Sequence, residues 1–250
     1  MNKLKRVVVI TDLGGTIVDE KNPEFGMISS DVLSEYGISI EQAVPVLSAI
    51  VNDLFKENMK PSIEQLTSTS IIEEFLANNN ISLSVEQIEK MAWSALGAEK
   101  TNYLTPLTGA IEFLKEIKET NADIIALSNT ALTLNILNMI FERFDIKKFF
   151  KSIILSSECG YKKPATQIYD YLEKNENLVS DDLIIMVGND YNADITPALK
   201  RGYKTVLITE ESSINAADNL IICRNLPDAK EAVLKEINLW REANEKSVLA

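Results

Sequence analysis

Short apolar runs alternate with amphipathic stretches along most of this chain, and several of the runs end on a polar residue. Val7-Val8-Val9-Ile10 leads into Thr11-Asp12-Leu13-Gly14-Gly15-Thr16, so the run stops at an aspartate and breaks at two glycines. Apolar runs this short read as buried strands of a parallel sheet. From about residue 104 the alternation is regular. Helical spacing over residues 108–120 (Ile111, Leu114, Ile117) precedes a strand at Ile124-Ile125-Ala126-Leu127. Helical residues 132–144 are followed by a strand at Ile153-Ile154-Leu155, and helical residues 166–174 by a strand at Leu183-Ile184-Ile185-Met186-Val187, ending at Gly188. A helix over 194–201 closes at Gly202 before a strand at 205–208. Leu220-Ile221-Ile222 reads as a last edge strand, with residues 227–243 helical behind it. Strands alternating with helices of this length predict βαβ units, hence an α/β fold on a parallel sheet.

Residues 21–103 follow another rule. Stretches 29–36, 40–57, 63–77 and 85–96 are amphipathic with helical spacing and carry no convincing strand. A crossover between neighbouring strands is usually far shorter. The segment therefore predicts a helical cap inserted between the first and second strands of the sheet. It divides the chain into a core of residues 1–20 and 104–250 and a cap of residues 21–103.

Composition narrows the chemistry. The 250-residue chain has a formal net charge of −12, against a general nucleic-acid or anionic-membrane partner. Cys159 and Cys223 are the only cysteines, which fits a reducing compartment. No apolar stretch has the length of a membrane span and no cleavable signal is evident, so the expected location is cytoplasmic. The chain has no histidine. That excludes Ser-His-Asp and Cys-His catalysis and histidine-ligated metals. Carboxylates, lysines, hydroxyls or a bound ion must do the work.

Polar stations of this kind stand at four strand ends. In an open parallel sheet these ends share one edge, where ligands bind. Asp12 is a candidate nucleophile or metal ligand, with the Thr16 hydroxyl just after it. Ser128 and Asn129 offer a hydroxyl and an amide for phosphate-like oxygens, although residues of this type also cap helices. Lys163, before Pro164, could neutralise charge on a transferred group, beside a Lys162 expected to be solvated. Asp190 and Asp194 supply hard oxygen ligands suited to Mg²⁺, or alternatively a loop aspartate and a helix cap.

The ordered set Asp12-Leu13-Gly14-Gly15-Thr16, Ser128, Lys163-Pro164 and Asp190/Asp194 resembles the haloacid dehalogenase-like hydrolase superfamily over the whole chain. That resemblance implies a Rossmann-like parallel sheet in a three-layer sandwich, with the helical type of cap closing over small substrates. It also implies that Asp12 attacks the substrate to form an aspartyl intermediate, while Ser128, Asn129, Thr16 and Lys163 hold or stabilise the transferred group. Mg²⁺ would be held by Asp12, the backbone carbonyl of Gly14, and Asp190 or Asp194.

One residue departs from that family's pattern. Its first motif reads Asp-x-Asp-x-Thr, and here the second aspartate is Gly14. In family phosphatases this residue protonates the leaving oxygen and then activates water, a role generally worth ~10²–10⁴-fold. Asp19 and Glu20 are close in sequence and either could reach back, but the intervening turn stands against it. Family branches without the second aspartate give further readings. A dehalogenase needs a cap arginine, and residues 21–103 contain none. A phosphonoacetaldehyde hydrolase would use a cap lysine such as Lys56 or Lys60. A binding-only protein would keep the pocket without turnover. The expected activity is Mg²⁺-dependent hydrolysis of a small phosphorylated or phosphonate metabolite, by a monomer or homodimer. Twelve acidic residues against five lysines in residues 21–103 disfavour polyanionic substrates. Phe55, Trp93 and Tyr103 are candidate pocket aromatics, although such residues at helical spacing more often belong to a core.

Overall fold

A computed structural model describes residues 5–20, 62–67, parts of 70–88, 104–211 and 217–248. Five-residue strand β1 (Val7–Thr11) is buried along its length at the centre of a six-stranded parallel sheet. On one side lie β4 (Asp123–Ser128) and β5 (Ser152–Leu155); on the other lie β6 (Leu183–Gly188), β7 (Lys204–Ile208) and β8 (Leu220–Cys223). The order is β5-β4-β1-β6-β7-β8. Two further three-residue strands, β2 (Val18–Glu20) and β3 (Leu104–Pro106), form a separate antiparallel pair. Nothing in the hydrophobic pattern marks either one, because three residues are too few to show a period.

Alternation along β1 explains the three layers. Val7 and Val9 face a core shared with α1 (Ala110–Glu119), α2 (Leu134–Arg143) and the long α6 (Leu226–Val248). Val8 and Ile10 face the opposite core, built with α4 (Thr166–Glu176) and α5 (Thr196–Lys200). Successive strand residues point to opposite faces, so a strand covered on both sides must be apolar throughout. The fold is therefore the expected Rossmann-like α/β sandwich. Among the described residues no helix is long and apolar enough to cross a membrane.

Most of the expected cap over residues 21–103 lies outside the described residues, including Phe55, Lys56, Lys60, Trp93 and Tyr103. Two details are clear. Glu20 pairs with Leu104, so the segment leaves and rejoins the core at neighbouring positions. Ile88 is buried within the core that holds α1 and α6.

The helix expected over residues 63–77 starts late. Residues 63–67 are extended instead, with Glu64 bridged to Tyr161 and the Lys162 amide donating to the Ile63 carbonyl at 2.6 Å. The next described helical residue is Ser70, whose amide donates to the Thr67 hydroxyl at 3.0 Å. The reason is local: backbone groups spent on the core loop cannot close helical turns, and Thr67 supplies the helix start. The next helix starts at residue 85, where the Ser84 hydroxyl and Gln87 side chain form a reciprocal capping box.

Candidate active site

Asp12 follows β1 directly, and its amide donates to the Val187 carbonyl at 2.9 Å, extending the ladder with β6 by one residue. That bond carries the carboxylate to the end of the central strand. The turn after it is tight: the Leu13 carbonyl accepts from the amides of Thr16, Ile17 and Val18 at 3.1, 2.8 and 2.9 Å. Gly15 sits at φ 72°, a backbone region that glycine enters without penalty. A Cβ there would lie 2.4 Å from Asn189 Nδ2, so the glycine also admits a neighbouring loop.

A cavity of about 640 Å³ opens at this edge. Asp12, Gly14, Ser128, Lys163, Asp190 and Asp194 all line it, so all four sequence stations meet at one place. At its centre is a buried lysine between two carboxylates. Lys163 Nζ donates to Asp12 Oδ1 and to Asp194 Oδ1, both at 2.6 Å, with only 3% of its side chain exposed. Burial pulls the ammonium's pKa down, but Asp12 and Asp194 outweigh it and hold the group above the ordinary lysine range. Burial pushes Asp194 up to about 6; Lys163 opposes that shift and the like charge of Asp12 adds to it.

The two acids of the fourth station have different surroundings. Asp190 Oδ1 accepts from the amides of Asn192 and Ala193 at 2.7 and 2.8 Å, capping the π-helical turn Tyr191–Ile195. Asp194 is 1% exposed and its Oδ2 accepts from the Asp190 amide at 3.1 Å. A Cβ at Gly188 would lie 2.3 Å from that oxygen, so β6 must end on glycine to seat Asp194. Below the turn, the Tyr169 hydroxyl donates to the Ala193 carbonyl at 2.8 Å, and burial keeps the phenol's pKa above its usual value.

Of the other expected site residues, Thr16 is fully buried and donates to Asp12 Oδ2 at 3.2 Å. Asn129 lines the cavity, but its amide clamps the backbone of Lys163. Its Nδ2 donates to the Lys163 carbonyl at 2.9 Å, and its Oδ1 accepts from the Lys163 amide at 2.6 Å. Neither Ser128 nor Asn129 caps a helix; Thr133 caps α2. Lys162 is 5% exposed rather than solvated, because the extended residues 63–67 lie against its loop.

Two polar side chains outside the expected site set also line the cavity, Asn189 and Asp19. Asn189 Oδ1 lies 3.3 Å from Thr16 Oγ1 and shares that hydroxyl's one proton with Asp12 Oδ2, which places the Asn189 amide against the Gly15 turn. Its position next to Gly188 was a signal, but the contact with residues 15 and 16 exists only across two strands. Asp19 lines the same cavity from β2, contrary to the expectation that the turn would hold it away.

Hard oxygen donors suit Mg²⁺, and Asp12, Asp194 and the Gly14 carbonyl are of that kind. Lys163 uses one oxygen of each carboxylate; Oδ2 of Asp12 accepts from Thr16 and Oδ2 of Asp194 from the Asp190 amide, each with a further lone pair to offer an ion. Among the described residues, no group of three or more acidic, histidine or cysteine side chains could hold an ion unaided. That suits Mg²⁺, which commonly takes one or two carboxylates and completes its shell with water and substrate phosphate oxygens.

Comparison with known proteins places this geometry in context. The family model described as haloacid dehalogenase-like hydrolase matches residues 9–208. The pyrimidine 5'-nucleotidase YjjG of Escherichia coli (strain K12) is 30% identical over 101 residues, 40% of this chain and 44% of that protein. The ribulose-1,5-bisphosphate 5-phosphatase of Halopiger xanaduensis is 30% identical over 128 residues, 51% of this chain and 50% of that one. The chain thus spans half or less of the curated relatives it matches. Among solved structures, a phosphatase from Thermococcus onnurineus aligns with TM-score 0.58 at 18% identity, covering 91% of this chain and 97% of that one. A 2-haloacid dehalogenase from Pseudomonas syringae pv. Tomato DC3000 aligns with TM-score 0.58 at 14% identity, covering 92% and 99%. At such identities these two likenesses concern the fold.

Proposed function

The chain belongs to the haloacid dehalogenase-like hydrolase family, and from that premise we propose that it is a Mg²⁺-dependent phosphatase acting on a small phosphorylated metabolite. One observation carries the reading: Lys163 Nζ lies 2.6 Å from both Asp12 and Asp194 at the cavity's centre. A buried ammonium beside a strand-end carboxylate suits transfer of a dianionic group onto that carboxylate. The names of the two curated relatives, both phosphate-ester hydrolases, support the same class.

In this reading Asp12 attacks phosphorus through a carboxylate oxygen, the bond to the leaving group breaks, and water then hydrolyses the aspartyl phosphate. Thr16 orients Asp12 through its hydroxyl. Lys163 offsets charge on the transferred group, and Ser128 contributes its hydroxyl at the cavity wall. Asp12, Asp194 and the Gly14 carbonyl would hold Mg²⁺, with Asp190 left to cap the turn. The ion would supply charge neutralisation at the phosphate oxygens. Glycine stands at position 14, where the family motif has its second aspartate, so residue 14 itself gives no proton to the leaving group.

The test is phosphate release with Mg²⁺ from an acyl, an aryl and an alkyl phosphate, beside Asp12→Asn. Release that depends on Asp12 and ranks acyl and aryl above alkyl is the expected result. Equal release by Asp12→Asn, or none from any substrate, sinks the proposal.

A further inference from the structure

Position 14 lacks a carboxylate, yet the cavity holds one that no partner engages among the described residues. The turn after Asp12 folds back on itself: the Gly15 amide donates to the Val18 carbonyl at 2.8 Å, and Gly14 is bridged to Val18. Residue 19 is therefore brought beside residue 14. Val18 is 2% exposed and points inward, so the next residue of β2 points to the other face, where Asp19 lines the cavity with Asp12 and Gly14. Pairing of Asp19 with Thr105 on β3 fixes that backbone.

The other lining carboxylates are committed. Asp12 and Asp194 hold Lys163, and Asp190 caps a turn. Among the described residues, no hydrogen bond or ion pair engages the Asp19 carboxylate. A carboxylate on a paired strand that lines the same cavity as the nucleophile, with no described partner, suits proton transfer.

We propose that Asp19 is the general acid and base of this site, reaching from β2, which is paired with β3, to do what a residue at position 14 cannot. The inference rests on the phosphatase reading above. In the first step the Asp19 carboxyl gives its proton to the leaving oxygen as the bond from Asp12 to phosphorus forms and the ester P–O bond breaks. In the second step the Asp19 carboxylate takes a proton from water as water adds to phosphorus. The aspartyl P–O bond then breaks, releasing inorganic phosphate and restoring both carboxyl groups to their starting states.

Acetyl phosphate and a set of alkyl phosphates, assayed with Mg²⁺ on the full chain, separate the steps. An acetate leaving group needs no proton, so Asp19→Asn should release a burst of acetate stoichiometric with enzyme and then turn over slowly. Alkyl phosphate turnover should fall by about 10²–10⁴-fold. In a Gly14→Asp background the same Asp19→Asn change should cost less than about 3-fold, since position 14 then supplies the proton. Asp19→Asn turning over acetyl phosphate at the native rate without a burst, while Asp12→Asn is inactive, overturns the inference and leaves the phosphatase reading standing. Failure of every substrate to show Asp12-dependent release removes both. Unchanged thermal unfolding of Asp19→Asn would assign any rate loss to chemistry rather than folding.

Discussion

Lys163 carries two opposing obligations. It must stay charged while buried, and it is stable there only because Asp12 and Asp194 each offer an oxygen at 2.6 Å. Removing one member of a buried ionic group leaves the others uncompensated, which generally costs about 3–5 kcal/mol. Lys163→Met should therefore lower unfolding stability by about that amount in chemical denaturation. Adding Asp194→Asn to Lys163→Met should recover part of the loss, because the second change removes one of the two facing carboxylates. Independent, additive losses from the two substitutions would contradict this account. Asp12, Lys163 and Asp194 are all legible in the sequence as polar residues after apolar runs. Their sharing of a single ammonium is not, since Lys163 is 151 and 31 positions from its partners. The burial of Lys162 is equally invisible in a Lys-Lys-Pro string, because what covers it comes from residues 63–67.

Elements set where these side chains stand. The six parallel strands were readable because burial on both faces demands continuous apolar runs, and β1, β4 and β6 have them. The β2–β3 pair was not readable, because its strands are three residues each and their partners are more than 80 positions apart. Without that pair in the sequence reading, Asp19 was named only to be set aside, since its approach to the cavity depends on the pairing of β2 with β3. The loop carrying Lys163 is another case. Asn129 looks like a phosphate ligand in sequence, yet its amide spans the backbone of Lys163 with bonds of 2.9 and 2.6 Å. Asn129→Ala removes both, at about 0.5–1.5 kcal/mol each. The expected outcome is a lower unfolding midpoint together with a fall in kcat, as the ammonium loses its fixed position. A raised KM with unchanged stability would instead identify Asn129 as a substrate ligand.

At the scale of the molecule, a chain of net charge −12 concentrates unlike charges at one sheet edge, with carboxylates outnumbering lysine among the described residues of the cavity. Such a site attracts divalent cations, and any cation that binds only the folded state stabilises it by mass action. At a hundred times its dissociation constant, Mg²⁺ would add about 2.7 kcal/mol. For a chain of this length that corresponds to a rise of roughly 5–10 °C in Tm. General screening of a net-negative surface would also raise Tm, so the comparison must be made against NaCl of equal ionic strength. Specific binding predicts a rise with MgCl₂ beyond that with NaCl in the native chain. Asp194→Asn should keep the NaCl response and lose the difference, because Asp194 is one of the two carboxylates assigned to the ion and its Oδ2, bonded only to the Asp190 amide, has a lone pair to offer. Asp190→Asn should keep the difference, because its carboxylate serves the turn rather than the ion. Loss of the Mg²⁺-specific rise in Asp190→Asn but not in Asp194→Asn would reverse the assignment of the two acids.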